Sequence, residues 1–116
     1  MKFQHYIILL ISVISIVLTN YAFAEEALPP GTIKKGSLSN QKLITDAKLG
    51  VVSKVAILGC RDLKSFDPYV VAMPQGKPGT QFWRERWIVH GCAKEYPVNI
   101  RFAEDGKGGA YWTIEN

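Results

Sequence analysis

The sequence predicts an α+β domain in which one N-terminal helix packs on an antiparallel meander of four to five strands, closed by one disulfide. Three observations carry that reading. One short segment, Ser39 to Gly50, has helical spacing. The chain after it alternates, or runs β-branched, in short stretches separated by Gly, Pro and Asp. The only two cysteines, Cys60 and Cys92, are an even pair in a chain that opens on an export signal.

Residues 1–24 read as that signal. Lys2 supplies a thin positive start, Tyr6 to Leu18 is an apolar run broken only by Ser12 and Ser15, and Ala22-Phe23-Ala24 is a small-x-small cleavage site. The run is shorter than the roughly 18 residues that cross a bilayer, so no transmembrane anchor is expected after cleavage. No cysteine lies near the cleavage point, which argues against a lipid anchor. The protein is expected in the periplasm or outside the cell.

Residues 25–36, with Pro29-Pro30-Gly31, lack apolar periodicity and read as a flexible tether. Residues 37–116 then form a single domain. Ser37 or Ser39 is placed to cap the helix, Gly50 to end it, and Leu43, Ile44, Ala47 and Val51 to share an apolar face. Strands are expected over Val51–Leu58, Tyr69–Met73, Phe82–His90, Val98–Phe102 and Ala110–Ile114, with turns over Asp62–Pro68, Gln75–Thr80, Lys94–Pro97 and Glu104–Gly109. Connections this short favour antiparallel neighbours. A domain of this size sits where a hydrophobic core alone is marginal, and a Cys60–Cys92 bridge would stabilise it by roughly 3–4 kcal/mol.

The functional candidates cluster in Gln81 to Cys92, QFWRERWIVHGC. On an extended strand Trp83, Glu85, Trp87 and Val89 share one face and Phe82, Arg84, Arg86, Ile88 and His90 the other. Two arrangements follow. If the first face is exposed, Trp83 and Trp87 flank Glu85 as a platform for a sugar ring or a cation. If it is buried, the indoles are the main core and Glu85 needs a partner, for which Arg101 and Arg61 are the candidates. Arg84 and Arg86, joined by Lys94, Arg101 or Lys107, would form a basic patch for phosphate or carboxylate. Trp83, Arg84, Glu85, Arg86 and Trp87 are therefore the expected ligand-binding residues.

Catalysis is the less favoured reading. A glycan or cell-wall hydrolase using Glu85 as acid needs a second carboxylate, and no motif selects one. Oxidised cysteines cannot attack, and no serine sits in a nucleophile setting. A metal site would find only His90 beside the cysteines, so neither metal nor cofactor is expected. The net charge of +4, one unit of it from Lys2 in the leader, is scattered. It permits an anionic lipid or envelope glycan and disfavours nucleic acid. Asp105-Gly106-Lys107-Gly108-Gly109 lacks phosphate-loop spacing and reads as a turn.

The run Trp83-x-Glu85-x-Trp87-x-Val89-x-x-Cys92, with the Asp105-to-Gly109 turn before an aromatic strand, resembles a group of small exported proteins of Gram-negative bacteria without an assigned activity. The resemblance covers the last half of the chain. It implies a periplasmic or secreted protein with a structural disulfide and transfers no catalytic residue. The expected function is non-catalytic binding of a protein, an envelope glycan or an anionic lipid by a monomer, including the case of a secreted effector. An inhibitor or accessory protein of an envelope enzyme is the further alternative, acting through a protruding loop at Asp62–Pro68 or Gln75–Thr80.

Overall fold

The computed structural model describes residues 27–116. The expected signal, residues 1–24, lies outside the described residues. The elements in chain order are β1 (Lys34–Lys35), α1 (Gln41–Ile57), β2 (Leu63–Gln75), β3 (Phe82–Gly91), β4 (Lys94–Glu104) and β5 (Ala110–Glu115). The strands form one antiparallel sheet in the order β1-β2-β3-β4-β5, with α1 across one face.

The helix forms where the sequence predicts one but runs to Ile57, seven residues beyond Gly50, so the expected strand at Val51–Leu58 is its second half. Leu43, Ala47, Val51 and Val55 recur every four residues and are the buried stripe. Their burial against the sheet outweighs the weak helix propensity of valine. Asn40, not Ser37 or Ser39, is the N-cap, its side-chain oxygen accepting from Leu43 N at 2.9 Å. The terminating glycine is Gly59, at φ +107, where Gly59 N donates to Ala56 O and Cys60 N to Val55 O.

Gly50 serves instead as the point of closest approach between helix and sheet. A Cβ there would stand 2.5 Å from Trp112 Cη2 and closer still to Cζ3. Gly50→Ala should therefore destabilise the domain by about 1–2 kcal/mol, because overpacking against a fixed indole exceeds the roughly 1 kcal/mol of helix propensity regained. Urea unfolding of the variant checks this; a raised midpoint would mean that Trp112 does not hold this position.

Three further expectations are corrected. Lys34–Lys35, in the supposed tether, is β1, pairing with Val70 and Tyr69 of β2, while Ile33 N donates to Val70 O and Gly36 N to Pro68 O. Asp62–Pro68, expected as a turn and as a protruding loop, largely belongs to β2. Pro68 is tolerated there because β1, two residues long, leaves β2 almost an edge strand. Lys94–Pro97 is the start of β4, since Cys92 and Ala93 alone make the turn, both left-handed at φ 51 and 57.

β3 is the central strand, and its residues alternate strictly between the partly exposed face and the buried one. Trp83, Glu85, Trp87 and Val89 face α1 with Val98, Ile100 and Phe102 of β4, and Trp112 and Ile114 of β5 pack at the margin. Trp83 stacks on Phe102, its directly paired neighbour, with ring centres 5.4 Å apart. Cys60, just past the helix, is joined to Cys92 in the β3–β4 turn, with Cα atoms 6.0 Å apart. The disulfide thus ties the far end of α1 to the hairpin beneath it.

Candidate functional site

The strand predicted to carry function divides its residues between two environments. On the inner side Glu85 is 0% exposed. Its Oε2 accepts from Trp83 Nε1 at 2.9 Å, Ser37 Oγ at 3.0 Å and Leu38 N at 3.1 Å, and its Oε1 accepts from Trp87 Nε1 at 3.0 Å. Two donors come from the i−2 and i+2 positions of the same strand and two from the segment leading into α1. Neither Arg101 nor Arg61, the expected partners, takes part. Strand alternation sends Arg101 to the opposite face of the sheet, where its guanidinium lies 4.6 Å from the Phe82 ring centre, and Arg61 is exposed.

Of the two arrangements open to this strand, the buried one is present. Trp87 is fully buried and Trp83 nearly so. With Glu85 they form an internal hydrogen-bonded unit that satisfies a buried carboxylate without a cation. It presents no indole platform, and its carboxylate is closed to substrate.

Arg84 and Arg86 project from the other, uncovered face. Arg84 Nε meets Glu115 Oε1 of β5 at 2.9 Å. Arg86 donates from Nε to Asn99 Oδ1 at 2.9 Å and from a terminal nitrogen to Pro30 O at 3.1 Å. Arg101 stands directly opposite Arg84. These three share the face with a shallow hollow of about 220 Å³ edged by Val71, Arg84, Arg86, Asn99 and Glu115. Each guanidinium already has an internal partner. Lys94 and Lys107 do not join them, because they lie at the start of β4 and in the β4–β5 turn.

The remaining candidates also have structural partners. His90 Nε2 is 2.9 Å from Asp67 Oδ2 and its Nδ1 is 3.7 Å from Glu95 Oε1. In the glycine-rich turn, Asp105 Oδ1 accepts from Lys107 N at 2.7 Å and Gly109 N at 3.0 Å, so those amides serve the turn itself. A cleft of about 390 Å³ opens beside the first turn of α1, walled by Leu38, Asn40, Trp83, Glu104 and Gly109. Among the described residues no group of three or more His, Cys, Asp or Glu side chains could hold a metal ion.

The feature that sequence reasoning missed is on the outside of α1. Leu49, Val52 and Ala56 fall at i, i+3 and i+7, turned away from the buried stripe, and Ile57 and the C-cap Leu58 are exposed at the helix end. Leu49 is 70% exposed, Val52 44%, Ile57 82% and Leu58 51%. Four of the eight large exposed hydrophobics among the described residues thus lie in one stretch, while Leu28, Ile33, Met73 and Tyr111 are spread over other segments. The signal was present in Val51–Leu58, where no charge but Lys54 interrupts the apolar residues; read as a strand, the run hid its two-sided character.

One helix on a five-stranded antiparallel sheet, with a disulfide between helix end and central hairpin, defines the class of domain. The chain matches no known family model, no curated protein and no solved structure.

Proposed function

We propose that this is a small exported, non-catalytic binding protein that holds its partner through the second half of α1. The observation that carries the reading is the exposure of four large apolar side chains, Leu49, Val52, Ile57 and Leu58, along the second half of α1 and its C-cap. A helix that is apolar on both sides is ordinarily covered on both sides, and clustered exposed apolar surface marks interaction sites where single exposed residues do not. Non-catalytic action is supported by Glu85, sealed by four donors, and by a pair of cysteines joined to each other. The disulfide is compatible with export, and no helix among the described residues is long and apolar enough to cross a membrane.

A photo-reactive phenylalanine analogue placed at Val52, or in a second protein at Thr113 on the open sheet face, tests the reading in cells that export the protein. Crosslinks from position 52 and none from 113 are expected. The reverse pattern would move the binding surface to the arginine face and remove the helix from consideration.

A further inference from the structure

The exposed apolar residues of α1 are interspersed with basic ones. Between Ala47 and Lys64 the chain carries Lys48, Lys54, Arg61 and Lys64 against one acid, Asp62. Lys48 and Lys54 lie on opposite flanks of the helix, one over the Phe66 ring at 5.1 Å, the other donating to Asn116 Oδ1 at 3.0 Å. Arg61 and Lys64 follow the exposed helix end, and Lys64 shares Asp62 at 3.3 Å. Aliphatic side chains on a rigid helix, bordered by long cationic ones, match the boundary between lipid acyl chains and anionic headgroups.

We infer that the partner is the surface of an anionic phospholipid bilayer, which Leu49, Val52, Ile57 and Leu58 enter while Lys48, Lys54, Arg61 and Lys64 engage the headgroups. This rests on the patch being the binding surface. Charge decides against a second copy of this chain. A two-fold contact through the same patch would bring the four cations of one molecule toward the four of the other, and like charges across an interface disfavour association. Four apolar side chains also offer far less than the roughly 800 Å² per partner of a stable interface. A fluid anionic surface needs no such area, because each basic residue near it strengthens binding about fivefold. The helix lies flat against the sheet through Leu43, Ala47, Val51 and Val55, so the patch meets the bilayer side-on and the domain stays outside it.

The test uses the oxidised protein recovered from the periplasm of an expression host and cosedimented with vesicles of phosphatidylcholine alone or mixed with phosphatidylglycerol. Binding to the mixed vesicles that weakens with added salt is expected, with little to phosphatidylcholine alone. Ile57→Glu, at an exposed position, should lower it at least tenfold without changing the melting temperature. Arg61→Gln and Lys64→Gln should each lower it about fivefold. The variants keep the same chain before Ala27, so any contribution from those residues cancels in the comparison. No binding to either vesicle, equal binding to both, or an Ile57→Glu protein that binds as the parent does would overturn the inference. If vesicles fail while sedimentation shows a dimer that Ile57→Glu dissociates, the patch reading survives with a second copy as partner. If vesicles fail and position 52 gives no crosslink, both fall.

Discussion

Glu85→Ala is expected to leave the domain unfolded at physiological temperature or to lower its stability by at least about 4 kcal/mol. The change removes the sole acceptor of two indole N–H groups, one hydroxyl and one backbone amide, all gathered around a fully buried carboxylate. Each stranded donor costs about 1–3 kcal/mol, partly relieved if water enters the space, against a total stability on the order of 5–15 kcal/mol for a domain. Glu85→Gln should lose less, roughly 2–4 kcal/mol, because it keeps the volume but sets an NH₂ group among donors. Urea unfolding followed by tryptophan fluorescence and circular dichroism measures both. A glutamine variant with the parent midpoint would make Glu85 dispensable to the fold and return it to the candidates for chemistry.

Cys60→Ala with Cys92→Ala should cost about 3–4 kcal/mol, the entropy restored to an unfolded chain no longer closed across a sequence separation of 32. For a domain of this size that is a fall of roughly 15–25 °C in Tm. The bridge fastens the chain just past α1 to the β3–β4 turn, whose residues Cys92 and Ala93 are both left-handed. Its loss should therefore loosen the helix end before the sheet. Thermal unfolding by circular dichroism, with and without reductant, reads the effect. A change under about 1 kcal/mol would show that the bridge is not what holds these two elements together.

Much of the architecture was legible because it rests on short-range pattern. The period of two along Phe82 to His90 divided its side chains between two faces, though not which of them is buried, and the cysteine pair implied its own connection. The helix end was not legible, because Gly50 followed by Val51 and Val52 reads locally as a stop and a strand. What overrides that reading is tertiary: Trp112 needs the space that Gly50 leaves, and Val51 and Val55 complete a stripe begun by Leu43. The partners of Glu85 were half legible. Trp83 and Trp87 share its face by spacing alone, whereas Ser37 and Leu38 lie 48 and 47 residues away and reach it only through the turn into α1. An indole carries an N–H as well as an apolar ring, so the two tryptophans supply donors for which Arg101 and Arg61 were the expected sources, and the fold keeps Arg101 on the other face.

The donors that meet on Glu85 also settle how the domain comes apart. Helix and sheet share one carboxylate, two of whose four hydrogen bonds come from the chain just before α1 and two from β3 itself. Lifting the helix would withdraw the first pair while the indoles still enclose the acid, leaving a half-solvated charge in an apolar pocket. No intermediate with a docked sheet and a free helix escapes that penalty. A pull on Leu49 or Ile57 at the outside of the helix is therefore a pull on the whole domain, which answers as one unit.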